Sequence, residues 1–210
     1  MFTGIVAALG RITEIRPLGD PETAGVRLVI DAGNLPLQRA RLGDSIAIQG
    51  ACMTVVALHE SAFEVDVSRE SLARTCGLNA EGEVNLEHAL RLGDSLDGHL
   101  VSGHVDGVGK VTRLDPVGES VEFRLLVPAH LSQYVAYKGS LTVNGVSLTV
   151  NQVLDDEQGA EVSINLIPHT LQMTTLRLLE VGSQVNLEID MLARYVQRMV
   201  GHIQNPSPSH

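Results

Sequence analysis

Short alternating runs separated by turn residues dominate this chain. In the first half, "VRLVI" from Val26, "SIAIQG" from Ser45, "AFEVDV" from Ala62 and "EVNLE" from Glu83 place apolar side chains at every second position or are rich in β-branched residues. Gly, Asp and Asn punctuate them. "VEFRLLV" from Val121, "SLTVNG" from Ser140, "EVSINLI" from Glu161 and "QVNLE" from Gln184 repeat the arrangement in the second half. Such spacing predicts a small closed or nearly closed antiparallel barrel of about six strands in each half. Short helices are expected at Leu35 to Arg41, Arg69 to Thr75 and Ala129 to Ala136. From Ile189 to Ile203 the period changes: Leu192, Val196, Met199 and Ile203 recur at helical spacing, with Met191, Tyr195 and Val200 widening the stripe and Arg194, Gln197 and Arg198 opposite. That helix follows both barrels, and it either folds back on its own barrel or associates with copies of itself. Residues 204–210, with "NPSPSH", have the composition of a disordered tail.

The two halves are also similar residue by residue. "SIAIQGACMTVV" from Ser45 aligns with "SLTVNGVSLTVN" from Ser140 at an offset of 95. "TGIVAALGRI" from Thr3 aligns with "SGHVDGVGKV" from Ser102, and "FEVDVSRESLART" from Phe63 with "VSINLIPHTLQMT" from Val162, both at 99. "VNLE" at Val84 recurs intact at Val185. Ordered blocks with a drifting offset are what loop insertions in a duplicated domain produce, and a unit near 100 residues suits a domain rather than a solenoid repeat. The expected division is a first barrel over residues 1–96, a second over 97–188 and an oligomerisation helix over 189–203.

Composition narrows the function classes. With 44% hydrophobic and 19% charged residues in 210, the chain buries an ordinary soluble core. A formal charge of -10, 3% aromatics and no Trp argue against nucleic acid and anionic membrane surfaces. The longest apolar runs are a few residues, and Met1 to Val6 begins no segment of signal-peptide type, so a cytoplasmic protein is expected. Cys52 and Cys76, with no CxxC partner, are expected to be free thiols. The eight histidines are scattered, which disfavours a metal centre. "GHVDGVGKV" has the wrong gap for a phosphate loop and Val111 where a magnesium-holding hydroxyl belongs, and "GDSLDG" is one residue too long for a nucleophile elbow. What remains is the duplication, which makes chemical sense where two similar molecules must be held against each other.

At this point the motifs carry a resemblance. "MFTGIV", "GACMTVV", "SRESLARTCGL", "GHLVSGHVDGVG", "YKGSLTVNGVSLTV", "LIPHTLQMTTL" and "VNLEIDMLARYV" together resemble riboflavin synthase of the alpha-chain type, a lumazine-binding tandem-barrel family. The similarity runs from about Met1 to Met199. It implies two six-stranded Greek-key barrels from an internal duplication plus a C-terminal helix. The implied reaction is a dismutation in which one 6,7-dimethyl-8-ribityllumazine gives a four-carbon unit to another, yielding riboflavin and a pyrimidinedione. No cofactor or metal is implied. The implied assembly is a homotrimer whose facing barrels hold two lumazine molecules per site, and association with lumazine synthase is left open. A non-catalytic lumazine- or flavin-carrying antenna protein of the same fold is the alternative; it should have degraded one pocket, whereas Gly4/Gly103, Thr54/Thr149 and Ser71/Thr170 persist in both halves.

By resemblance, the first pocket is edged by Gly4, Ile5 and Val6, by Ser45, Cys52, Met53 and Thr54, and by Asp66, Val67, Ser68, Arg69, Glu70 and Ser71. The second uses Gly103, His104 and Val105, then Ser147, Leu148 and Thr149, then Ile167, Pro168, His169, Thr170, Leu171 and Gln172. Hydroxyls suit a polyol, and backbone groups of edge strands can read a planar ring. His104 stands where the first half has Ile5 and is the expected proton carrier, since histidine ordinarily titrates near working pH. Cys52, aligned with Ser147, is either a small strand residue or a polar group near the acceptor ring. Lys138 is placed near ligand by the same resemblance, Asp190 either caps the last helix or reaches a neighbouring subunit, and Phe2 either covers a ring or belongs to the core. His99 reads as structural. Gln49, Cys76 and His88 depart from the family pattern, which has Asn, Asn and Arg there.

Overall fold

In the computed structural model, which describes residues 1–20 and 23–204, the alternating runs become strands. In the first half these are β1 (Ala8–Pro17), β2 (Val26–Asp31), β3 (Ser45–Ile48), β4 (Ala51–Leu58), β5 (Ala62–Val67) and β6 (Gly82–His88). The second half has β7 (Gly107–Val117), β8 (Ser120–Pro128), β9 (Ser140–Val143), β10 (Val146–Asp156), β11 (Gly159–Leu166) and β12 (Gln184–Ile189). Each set closes into an antiparallel barrel, in the order β1-β2-β5-β4-β3-β6 and, equivalently, β7-β8-β11-β10-β9-β12. Closure leaves no free sheet edge in either barrel.

Alternation explains the cores. Ile12, Leu28, Ile46, Phe63 and Leu86 fill the first barrel, while Phe123, Leu125, Leu141, Ile164 and Leu187 fill the second, all fully or almost fully buried. The strand register slips between Ile12 and Glu14 and between Val55 and Ala57, and again at the aligned positions Val111/Arg113 and Val150/Gln152. A bulge tightens twist where a short sheet must bend to close. Duplicated bulges mean that the repeat preserves curvature as well as side chains.

The helices are shorter than the apolar pattern predicts. Arg69–Arg74 forms α1, with Ser68 accepting the Ser71 amide, but the expected helix at Leu35 to Arg41 is a single 3-10 turn at Leu37–Arg39 after Pro36. The expected helix from Ala129 stops at Ser132 (α2), since Tyr134 and Val135 bond three residues back and tighten the chain into a turn. Pro168–Met173 forms α3, which the hydrophobic pattern did not single out, although it aligns with α1. Pro168 occupies the first helical position, where its fixed φ suits the helix and no N–H is lost. The last helix, α4, spans Met191–Gln204, so Ile189 closes β12 and Gln204 belongs to the helix; the expected tail from 205 lies outside the described residues.

The barrels of one chain join through their twin turns. Gln49–Gly50 and Asn144–Gly145 all have positive φ, 51, 86, 49 and 81° respectively, the signature of a two-residue hairpin turn. The turns meet so closely that a Cβ on Gly50 would lie 2.7 Å from the Gly145 nitrogen. A reciprocal web surrounds them. Asn85 Nδ2 donates to the Asn144 carbonyl at 2.8 Å and Asn186 Nδ2 to the Gln49 carbonyl at 2.9 Å, while their side-chain oxygens accept the Thr175 and Cys76 amides, each at 2.8 Å. The expected division at residue 96 falls in the β6–β7 connection.

Candidate active site

Two segments outside the barrels cross between them. The amide of Ser147, on β10, donates to the Gly4 carbonyl at 2.7 Å, and that of Cys52, on β4, to the Gly103 carbonyl at 2.7 Å. Val6 packs on the second core and Val105 on the first. The pocket memberships that the resemblance implies are thereby corrected: Gly4, Ile5 and Val6 edge the second barrel, and Gly103, His104 and Val105 edge the first. A sequence alignment pairs equivalent residues but carries no information on which barrel each crossing segment visits. Both glycines have φ of 76°, and a Cβ on Gly103 would lie 2.7 Å from Cys52 Cβ, so only glycine allows this approach.

On the first barrel the result is a cleft of about 260 Å³ lined by Cys52 and Met53 from β4, by Gly103, His104 and Val105 from the crossing segment, and by Glu70, Ser71, Arg74 and Thr75 at α1. His104 is exposed, Cys52 half-buried and free, and Thr54, cross-strand partner of Ser45, points outward beyond Cys52. Arg74 and Thr75 were not among the expected residues. Helical spacing could have found them, because positions three and four after Ser71 share its face.

Several expected residues are otherwise engaged. Val67 lies in the first core and Leu148 in the second, with Met53 bridging core and cleft. Asp66 takes a bidentate bond from Arg27 at 2.7 and 2.9 Å, which holds its carboxyl below the usual range. Ser68 caps α1, and Arg69 begins that helix, exposed. Phe2 is fully buried with Val101 and Ala47 against half-buried Cys52, which makes it core rather than a ring cover.

The second barrel has an equivalent but different edge. Ser147 and Thr149 point away from its core, Thr149 pairing with Ser140 as Thr54 does with Ser45. From α3, Leu171 packs on the core, Thr170 is half-buried, Ile167 is the cap residue, and Pro168, His169 and Gln172 are exposed. Lys138 Nζ donates to Asn151 at 2.9 Å, and its backbone has φ 63° at the position where the first half has Gly43. Asp190 caps α4 by accepting the Leu192 amide at 2.9 Å. His99, which reads from the sequence as structural, also reaches this edge. Its Nδ1 lies 2.7 Å from Ser147 Oγ and its Nε2 3.2 Å from Thr142 Oγ1. Burial lowers its pKa, with the Asp190 charge opposing, so the ring stays neutral to lower pH than usual. In the repeat, His99 aligns before residue 1, so symmetry offered no twin to flag it.

The same architecture exists elsewhere. The family model for the lumazine binding domain matches twice, over residues 3–89 and 102–190. The chain belongs to the lumazine-binding family. Among its relatives, riboflavin synthase of Photobacterium phosphoreum is 40% identical over 202 residues, 95% of this chain and 89% of that protein. Riboflavin synthases of Brucella abortus and Mycobacterium tuberculosis are 40% and 41% identical, each over 95% of this chain and 98% of theirs. Among solved structures, LumP complexed with riboflavin covers 90% of this chain and 99% of its own, with TM-score 0.77 and 27% identity. LumP complexed with 6,7-dimethyl-8-(1'-D-ribityl) lumazine gives 0.76 and 25%, over the same shares.

Proposed function

We propose that this protein is a riboflavin synthase, catalysing four-carbon transfer between two molecules of 6,7-dimethyl-8-ribityllumazine to give riboflavin and 5-amino-6-ribitylaminopyrimidinedione. One observation carries the reading: the two barrels present equivalent edges that are furnished unequally, Cys52 with His104 on the first and Ser147 with His99 on the second. Equal scaffolds suit two copies of one molecule, and unequal polar groups suit the different fates of the two copies.

The chemistry asks for a proton to leave the C7 methyl of one lumazine while the other ring is made ready for attack. Exposed His104 is the proton carrier at the first edge. In the second, with the proton of neutral His99 on Nε2 and directed to Thr142, Nδ1 accepts from the Ser147 hydroxyl and fixes where its oxygen points. Thr54, Ser71 and Thr149 offer hydroxyls to the ribityl chains, and close approach of the two rings supplies much of the acceleration.

The homotrimer belongs to this proposal, and α4 supports it. Its polar face meets its own second barrel, Arg194 bonding Asp106 at 2.5 Å and Gln197 bonding Gln133 at 2.8 Å. Leu192, Val196 and Met199 are left 62%, 59% and 63% exposed, which disfavours folding of the apolar stripe back onto the same chain. In the trimer the first barrel of one subunit faces the second barrel of the next, with Asp190 near that junction. A cytoplasmic location completes the reading, as does association with lumazine synthase, which co-sedimentation would test.

Incubation of the purified protein with the lumazine alone, followed by riboflavin absorbance, tests the activity. Tight binding without product would support the antenna alternative. Replacing His104 by Gln is expected to lower kcat by about 100-fold with a smaller change in KM. Equal losses in both would remove its proton-transfer role.

A further inference from the structure

The recurring "VNLE" places a glutamate at the end of each barrel where a crossing segment departs. Glu87 and Glu188 are both buried, yet neither forms a direct ion pair with arginine or lysine among the described residues; the N-terminal amine acts on Glu87, and Arg194 on Glu188, only through longer-range charge. Glu87 Oε1 accepts from the Thr3 amide at 2.6 Å and the Thr3 hydroxyl at 2.7 Å, and Oε2 accepts from the Gly4 amide at 3.0 Å. Glu188 Oε1 accepts from the Ser102 amide at 2.6 Å and Oε2 from the Gly103 amide at 2.9 Å, with the His104 amide also directed to it. Two carboxylate oxygens gripping two successive amides fix the orientation of the peptide between them, which no single acceptor can do.

The gripped glycine then reaches the other barrel. The carbonyl of Gly103, whose amide is held by Glu188, accepts from Cys52 on the first barrel, and the carbonyl of Gly4, whose amide is held by Glu87, accepts from Ser147 on the second. We propose that these carboxylates are crossed positioning residues: Glu188 of the second barrel sets the edge of the first cleft, holding Gly103 to Val105 against Cys52, and Glu87 of the first barrel sets the edge of the second, holding Gly4 to Val6 against Ser147. Neither needs to touch substrate. The contact has no slack, since even one methyl on Gly103 would collide with Cys52, so loosening the grip uncovers that thiol directly. The assignment of the clefts to ligand rests on the proposed function; the crossed grip does not.

Cys52 is a built-in reporter for the first cleft. Iodoacetamide labelling of the unliganded full-length protein, with the labelled peptides resolved by mass spectrometry, gives its rate apart from Cys76. Exchanging Glu188 for Gln turns one acceptor into a donor facing an amide, and Cys52 labelling is expected to rise about tenfold. Glu87→Gln should leave that rate unchanged but accelerate labelling of the thiol introduced by Ser147→Cys. Acceleration of Cys52 by both variants alike, or by neither, would overturn the proposal. Turnover supplies a second readout, in which Glu188→Gln lowers kcat with KM changed little, as displacement of His104 requires. Should the variants fail to fold, hydrogen exchange on the unsubstituted protein decides: the Thr3, Gly4, Ser102 and Gly103 amides are expected to be as protected as those of β6 and β12, and exchange at the rate of open loops would overturn the grip. A crossed labelling pattern without riboflavin formation would leave the grip standing and remove the proposed function.

Discussion

Lys138 and Gly43 occupy the same place in the two repeats, with φ of 63 and 87°, and their amides donate to Val150 and Val55 at 2.8 and 2.9 Å. A lysine there is strained where its twin is not, and the side chain gains an exposed bond to Asn151 and a place 5.3 Å over the Tyr137 ring. Lys138→Gly is accordingly expected to hold stability or raise it by up to about 1 kcal/mol while weakening ligand binding; a thermal melt and a riboflavin titration read the two effects separately. Glu188 shows the opposite kind of strain. Burial lifts its carboxyl from 4.5 to about 7, the gripped amides pulling down and Asp106 pushing up. The folded protein thus binds this proton more tightly than the unfolded chain, so the group's contribution to stability is full below about 4.5 and is lost as pH rises to about 7. Melts at about pH 4.5 and about pH 8 are expected to show a larger loss in the parent than in Glu188→Gln. The family departures are legible at this scale too. Gln49 Oε1 still accepts the Asn85 amide at 3.0 Å, as Asn144 Oδ1 accepts that of Asn186 at 2.8 Å, and Cys76 contributes its backbone amide to the web whatever its side chain. His88 bonds the Pro36 carbonyl at 3.2 Å instead of making an arginine contact.

Elements were read from sequence with uneven success, for reasons that lie in their contacts. Strands with one buried face, such as β5 and β8, declare themselves by alternation, whereas β1 and β7 carry Gly10 and Gly109 and bulges that break the period. Short helices declare themselves poorly because one turn offers no second apolar position to confirm the period, as at Leu37–Arg39. The twin turns are the elements on which the duplication depends. Alanine at Gly145 would meet the Gly50 nitrogen at 2.9 Å and force a side chain into positive φ, so Gly145→Ala is expected to cost about 2 kcal/mol, seen as a lowered urea midpoint. The same change at Gly182, which has positive φ but nothing within 4 Å of its Cβ, should cost less.

At the scale of the whole molecule, the apolar stripe of α4 faces away from the chain that bears it. If the proposed trimer forms through this stripe, replacing Leu192 and Val196 by Glu is expected to give a monomer by light scattering, with strand content unchanged by circular dichroism and riboflavin formation lost. A fully active monomer would show that one chain holds both substrates in contact. The duplication, the barrels and most of the groups on β4 and β10 were determined by the sequence alone, because alternation and repetition are properties of neighbours along the chain. Only the tertiary structure decided that Gly4 serves the second barrel and Gly103 the first, that His99 meets Ser147, and that a glutamate in each barrel sets the edge of the other. Those are contacts between residues about 50 to 140 positions apart, and nothing in local periodicity encodes which of two near-identical scaffolds a crossing strand will choose.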